Sequence, residues 1–181
     1  MRIGSGALRG RKLVAPHGTK TRPTSGRLKK SLFDVLASRL EGARVLDLYA
    51  GAGSLGIEAL SRGAAHAVLV ERRRAAAEAI RRNIEELGLL DRAEVIRKDV
   101  LSTLSRLSGR FDVVFADPPY RSMEPEKLLR FLGRGTILSD SAFVVLEHHH
   151  KRELPDRIGN LVSQRMIRAG ESCFTLFALT E

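Results

Sequence analysis

The tetrad Asp117-Pro118-Pro119-Tyr120 follows directly on the apolar run Phe111–Ala116, which reads as a buried strand. Neither proline carries an N–H and both rings stiffen the backbone, so the polar surface of this corner consists of acceptors, the Asp117 carboxylate and the Pro118 carbonyl among them. A rigid set of acceptors beside an aromatic ring suits an exocyclic amine on a flat base. The amine donates both hydrogens and Tyr120 stacks on the ring. Open α/β sheets bind ligands at such carboxyl strand ends. The competing use of the same residues is a proline turn with Tyr120 packed as core.

A second group lies about 65 residues earlier along the chain. In Val45-Leu46-Asp47-Leu48-Tyr49-Ala50-Gly51-Ala52-Gly53-Ser54-Leu55-Gly56, Gly51 and Gly53 allow a tight turn and close approach of backbone to a ligand, and Gly56 allows close helix packing. Glu71, twenty residues after Gly51, ends a second strand where its carboxylate could accept from both hydroxyls of a ribose. Together these imply a nucleoside-containing cofactor. A dinucleotide enzyme would show the same glycines and the same acid, and Asp47 separates the two. A carboxylate at the strand tip repels a pyrophosphate but suits the ammonium and sulfonium end of S-adenosylmethionine. Bracing the loop or capping the helix is the alternative use of Asp47. Asp99, at the end of a third strand, is placed to accept from an adenine amino group or to sit exposed at the strand end.

Short apolar runs at 44–49, 67–71, 94–97, 111–116 and 143–147 read as buried parallel strands, most of them separated by helical stretches such as 75–87. Runs 162–167 and 173–179 are joined by Ala169-Gly170-Glu171, which leaves no room for a crossover helix. The expected fold is α/β: a mostly parallel sheet closed by a C-terminal antiparallel hairpin. Before it, Leu28, Leu32, Val35, Leu36 and Leu40 have helical spacing, with Thr24 or Ser25 as cap, Gly42 as stop, and Lys29 and Lys30 off the buried stripe.

At 181 residues the chain suits one compact domain with a short appendage. Residues 1–40 hold ten Lys or Arg against Asp34 alone, out of 31 cations and 21 anions in the whole chain. The charge is therefore local, and its partner is expected to be a polyanion rather than a membrane. Residues 1–26 are rich in Gly and Pro and read as a basic arm in which Leu8 and Leu13-Val14 could form short strands; residues 27–181 make the domain. One cysteine and no spanning or leader-like apolar run point to a cytoplasmic protein, expected as a monomer. Cys173 reads as a buried core thiol, which argues against chemistry on a pyrimidine carbon through a thiolate. His148, His149 and His150 point to alternating sides of an extended chain and are not expected to share a metal.

The tetrad resembles motif IV of amino-directed nucleic-acid methyltransferases with the Rossmann-like methyltransferase fold, and the glycine segment resembles their motif I. Arg9-Gly10-Arg11-Lys12-Leu13, Thr21-Arg22-Pro23-Thr24 and Arg27-x-x-Lys30-x-Leu32-Phe33 resemble the arm and first helix of the RsmD family. That family methylates the exocyclic N2 of one guanine in small-subunit (16S) ribosomal RNA. The likeness extends over nearly the whole chain, through Leu60-Ser61-Arg62-Gly63 and Gly170-Glu171-Ser172. The resemblance implies that Asp47, Tyr49, Gly51, Gly53, Glu71 and Asp99 contact S-adenosylmethionine, that Asp117, Pro118 and Tyr120 face the target base, and that Arg9, Arg11, Lys12, Arg22, Arg27 and Lys30 meet ribosomal RNA or the small subunit. Tyr49 stands where Phe is expected, and Ala52 and Ser54 fill variable places. Three other readings cover less of the chain. An adenine-N6 methyltransferase more often begins the tetrad with Asn, an NAD-dependent oxidoreductase leaves the tetrad unexplained, and a non-catalytic RNA-binding module explains only the arm.

Overall fold

A computed structural model describes residues 1–16, 26–119 and 123–180. Eight strands form one sheet in the order β3-β2-β1-β4-β5-β8-β7-β6. The parallel part comprises β1 (Arg44–Leu48), β2 (His66–Val70), β3 (Ala93–Ile96), β4 (Phe111–Ala116) and β5 (Leu138–His149). β6 (Arg157–Ile158), β7 (Leu161–Ala169) and β8 (Ser172–Leu179) continue it antiparallel, with β8 inserted between β5 and β7. The expected parallel sheet closed by a hairpin is therefore present, with two differences. β5 begins five residues earlier than its apolar run, because Ser139-Asp140-Ser141 pair as sheet despite their polarity. β6 is a two-residue edge strand too short to carry a periodic signal.

The sheet is covered on both faces, which is why its strands are almost continuously apolar. Alternate residues serve opposite layers. Val45 and Phe115 pack with α1 (Gly26–Val35), α2 (Ser54–Ser61) and α3 (Arg74–Glu86) on one side, while Leu46, Leu48 and Val114 pack with α4 (Val100–Leu104) and α5 (Glu124–Leu132) on the other. α1 ends at Val35 rather than running to Gly42; a single 3-10 turn at Ala37–Arg39 follows it, and Leu36 and Leu40 stay buried. Thr24 and Ser25, the expected caps, lie outside the described residues. Lys29 is a correction. It is buried, because α2 presents a buried carboxylate, Glu58, at 3.0 Å from its ammonium.

Residues 1–16 are packed onto the domain. A bridge between Arg2 and Lys12, with Ile3 N–H donating to Arg11 O and Leu13 N–H to Met1 O, folds them into a hairpin whose Ile3 and Leu13 enter the core. Three buried side chains hold it, among them Ser61, whose Oγ accepts from Leu8 N–H at 3.0 Å and donates to Ser5 O at 2.6 Å. Glu58 accepts from Gly4 N–H at 2.8 Å and Ser5 N–H at 3.0 Å, and Asn83 pairs with Val14. Three observations converge on Glu58: the hairpin amides, Lys29 from α1, and Arg62 Nε at 3.0 Å. Burial opposes its charge, but the Gly4 N–H and the two cations outweigh that and hold its carboxyl below the usual range. Among the described residues no helix is long and apolar enough to cross a membrane.

Candidate active site at the carboxyl edge of the sheet

Register fixes which side chains meet. Leu48 lies opposite both Val70 and Ala116, and Ala116 lies opposite Leu146. The residues that follow these four positions, Tyr49, Glu71, Asp117 and Glu147, therefore line one edge, with Asp47 one step inside it.

The glycine segment turns from β1 into α2 at this edge, with Gly51 and Gly53 at φ +61° and +77°. A Cβ on Gly56 would stand 3.0 Å from Leu69 and 3.1 Å from the Asp47 carboxylate, so only glycine lets α2 sit this low on the sheet. Asp47 Oδ2 accepts from Gly56 N–H at 2.8 Å. The loop-bracing use of Asp47 is thus real, and it fixes the carboxylate rather than consuming it. Burial pushes the Asp47 carboxyl up to about 7, against the help of the Gly56 N–H and with a further push from Glu71.

Glu71 is also buried and braces the same loop. Its Oε2 accepts from Gly51 N–H at 3.0 Å, and its Oε1 from the backbone N–H of Arg73 at 2.8 Å and from Arg73 Nε at 3.1 Å. A carboxylate offers about four acceptor positions, and the Arg73 guanidinium is the partner that solvent reaches. Tyr49 has φ +60°, the only non-glycine residue with positive φ among the described residues. Burial and then the neighbouring Glu124 keep its phenol protonated far above its usual range. Asp99 caps α4, accepting from Ser102 N–H at 3.0 Å through one oxygen, and is exposed. This exposed place at the end of a strand is one of its two foreseen uses.

Asp117 continues from β4, its N–H donating to Leu48 O. Its side chain is exposed to solvent, yet enough protein lies around the carboxyl to disfavour its charge. That crowding, followed by the charges of Glu147 and Asp47, holds its carboxyl well above the usual range. Pro118 is buried behind it, and Tyr120 lies outside the described residues. Glu147 was missed by sequence reasoning. The available signal was a carboxylate ending an apolar strand run in the next strand to the tetrad.

The basic residues fall in two groups. Arg9, Arg11 and Lys12 are exposed on the hairpin, with Arg11 also donating to Glu86 O at 3.1 Å. Arg27 and Lys30 are exposed on α1, Lys30 pairing with Asp34 at 2.7 Å, and Arg22 lies outside the described residues. His148 is buried and satisfied by Thr175 Oγ1 at 2.8 Å, and burial lowers its pKa. Cys173 is a free thiol buried in β8.

The family model described as Conserved hypothetical protein 95 matches residues 1–178. The chain belongs to that family. It is the RsmD family, and likeness to named relatives runs the length of the Conserved hypothetical protein 95 match. Ribosomal RNA small subunit methyltransferase D of Escherichia coli is 35% identical over 177 residues, covering 98% of this chain and 89% of that one. The Bacillus subtilis protein YlbH is 40% identical over 168 residues, 91% of each chain. The solved structure of yhhF from Escherichia coli superposes with a TM-score of 0.87 at 34% identity, covering 99% of this chain and 97% of that one. The architecture is the Rossmann-like methyltransferase fold.

Proposed function

We propose that this member of the RsmD family transfers a methyl group to the exocyclic N2 amine of a guanine in small-subunit ribosomal RNA, with S-adenosylmethionine as donor. The observation that carries the reading is the concentration of carboxylates on one sheet edge. Asp47 and Glu71 hold the glycine loop, and Asp117 stands across from them with Glu147 beside it. An edge of this charge repels a pyrophosphate and attracts a cation, which favours a sulfonium ligand over a dinucleotide. S-adenosylmethionine, when bound, supplies a methyl group on a positively charged sulfur. Asp47 attracts its cationic tail, Glu71 takes the ribose hydroxyls in exchange for Arg73, the bent Tyr49 backbone opens the loop towards it, and Asp99 receives the adenine amine.

Asp117 and the Pro118 carbonyl accept the two hydrogens of the guanine amine, whose lone pair is otherwise shared with the ring. Accepting them concentrates that lone pair on nitrogen and orients it for in-line displacement. The base has to leave its stack to arrive there, and Tyr120 holds it by stacking. Residues 1–26 act as the RNA-binding part and 27–181 as the methyltransferase domain, in a cytoplasmic monomer. The named relatives act on ribosomal RNA of the small subunit, and the same substrate class fits this chain's basic hairpin.

The deciding experiment incubates the protein with labelled S-adenosylmethionine and unmodified small-subunit ribosomal RNA, then digests the RNA to nucleosides. N2-methylguanosine is expected. N6-methyladenosine would move the target to adenine, and binding of NADH without response to S-adenosylmethionine would end the methyltransferase reading.

Two further results are expected. A ligand that favours ionised Asp47 binds more tightly as pH rises through about 7 and releases protons on binding below that pH. Calorimetry of S-adenosylhomocysteine in buffers of different ionisation enthalpy measures this, and Asp47→Asn should abolish the pH dependence. Replacing Arg9, Arg11 and Lys12 by Ala should weaken RNA binding and lower its log–log salt slope by about 2, on the scale of ~0.7–0.9 per phosphate contact, while cofactor affinity is unchanged. Deleting the hairpin is a poorer probe, because it strips Ile3 and Leu13 from the core.

A further inference from the structure

Asn83 lies on the apolar stripe of α3 among Ala76, Ile80 and Ile84, and is buried to 1% exposure. Its amide is engaged on both sides. Oδ1 accepts from Val14 N–H at 2.7 Å, and Nδ2 donates to Val14 O at 3.1 Å and to Ala52 O at 3.2 Å. Val14 follows directly on Leu13, whose N–H closes the hairpin onto Met1 O, and Ala52 stands between the two glycines of the loop proposed to hold the cofactor. One rigid group therefore touches both the root of the basic hairpin and the loop on which the donor is proposed to bind.

The chemistry of the pairing makes it a coupling element rather than a packing accident. A side-chain amide has two donor hydrogens in a fixed plane, here aimed at carbonyls from two separate segments. Moving Ala52 O by a few tenths of an ångström requires the amide to turn, and turning it disturbs both Val14 bonds at once. No water is available at 1% exposure to replace a lost bond, so the three contacts are kept or broken together. Besides the backbone bond from Ala50 N–H to Val70 O, the side-chain ties of the glycine segment run through Glu71 and Asp47, which are the same carboxylates that the donor is to engage. Donor binding and the setting of the loop are thus one event, and Asn83 passes that setting to Val14.

We infer that Asn83 is a positioning residue that couples cofactor binding to RNA binding, so that each ligand raises affinity for the other. This rests on the proposed function, since it requires that the glycine loop hold the donor and the hairpin meet RNA. Linkage makes the effect reciprocal: an increase in S-adenosylhomocysteine affinity caused by RNA equals the increase in RNA affinity caused by S-adenosylhomocysteine.

The test has a wild-type arm and a variant arm. In the wild type, hydrogen exchange of peptides covering residues 11–16 is followed with and without S-adenosylhomocysteine and without RNA. Slower exchange of these residues is expected. Calorimetry then gives S-adenosylhomocysteine affinity with and without saturating unmodified small-subunit ribosomal RNA, with an expected gain of roughly fivefold or more. Asn83→Asp keeps the acceptor for Val14 N–H but loses both donors, and should bring the gain close to onefold. A residue of structural importance alone would lower stability and both affinities without altering their ratio. If S-adenosylhomocysteine binds while exchange at 11–16 and RNA affinity are unmoved, or if Asn83→Asp retains the full gain, the coupling is refuted with the functional reading intact. If S-adenosylhomocysteine does not bind, the functional reading itself has failed. Should the variant not fold, the exchange measurement on the wild type decides.

Discussion

Replacing Asp117 by Ala is expected to lower methyl transfer by roughly a hundredfold or more, with S-adenosylhomocysteine affinity and thermal stability little changed. The carboxylate accepts from the target amine most strongly as positive charge develops on its nitrogen, so the loss falls on turnover rather than on ground-state binding. Asp117→Asn keeps one oxygen acceptor and loses the charge; partial activity, clearly above that of the Ala variant, is expected. The pH profile gives a second reading of the same residue. Its environment and the charges of Glu147 and Asp47 raise its carboxyl, so the active carboxylate form accumulates only as pH climbs through a raised value, and the rate should rise with pH over that span. Glu147→Gln removes one of the raising charges and should move the limb to lower pH. Near wild-type turnover in Asp117→Ala, or a limb that stays in place in Glu147→Gln, would show that this corner does not hold the amine.

The second large effect is on stability. Glu58→Ala leaves Lys29 buried without its carboxylate and strips the acceptor from Gly4 and Ser5. Removing one partner of a buried ion pair costs on the order of 3–5 kcal/mol. For a chain of this size that corresponds to a fall in melting temperature of about 10 °C, readable by calorimetry. The acid dependence has a definite sign. Because the Glu58 carboxyl is held below its usual value, its contribution is full above the ordinary carboxylate range and is lost as pH falls through the depressed one. Glu58→Gln should therefore flatten the loss of stability in acid. A melting temperature within about 2 °C of wild type in Glu58→Ala would mean that the hairpin is held without Glu58, by Ile3 and Leu13 in the core and by the bonds of Ser61 and Asn83.

What the sequence could and could not disclose follows from range of interaction. β4 was legible to the residue because an apolar run interrupted only by Asp112 and bounded by Asp117-Pro118 reads as a strand. The turn of the glycine segment was legible because its glycines and Asp47 act within a few residues of each other, as in the bond from Gly56 N–H to Asp47. Glu58, Asn83 and Lys29 were not. Glu58 and Asn83 sit on the buried faces of their helices and Lys29 off the apolar stripe of its own, and in each case the partner lies far along the chain, 54 residues for Glu58 and Gly4 and 69 for Asn83 and Val14. A polar residue on an apolar stripe announces that a partner exists without saying which. The hairpin went unread for the same reason: its composition of glycine, proline and arginine describes a loop, and only the α2–α3 surface turns it into part of the core.

The position of β8 bears on how the molecule is made. It is the last of the eight strands to be synthesised, yet it lies inside the sheet, bonded to β5 along Phe143–His149 on one side and to β7 on the other. While a ribosome is still translating Cys173 to Leu179, the parallel half can already assemble, but the β5 edge, with Val144, Val145 and Leu146, has open backbone groups and no neighbour. Of its two strand neighbours β7 then has only β6, through a two-residue pairing. Until the eighth strand is available the nascent chain exposes a sticky apolar edge, which a chaperone or another nascent chain can occupy, and β8 closes it.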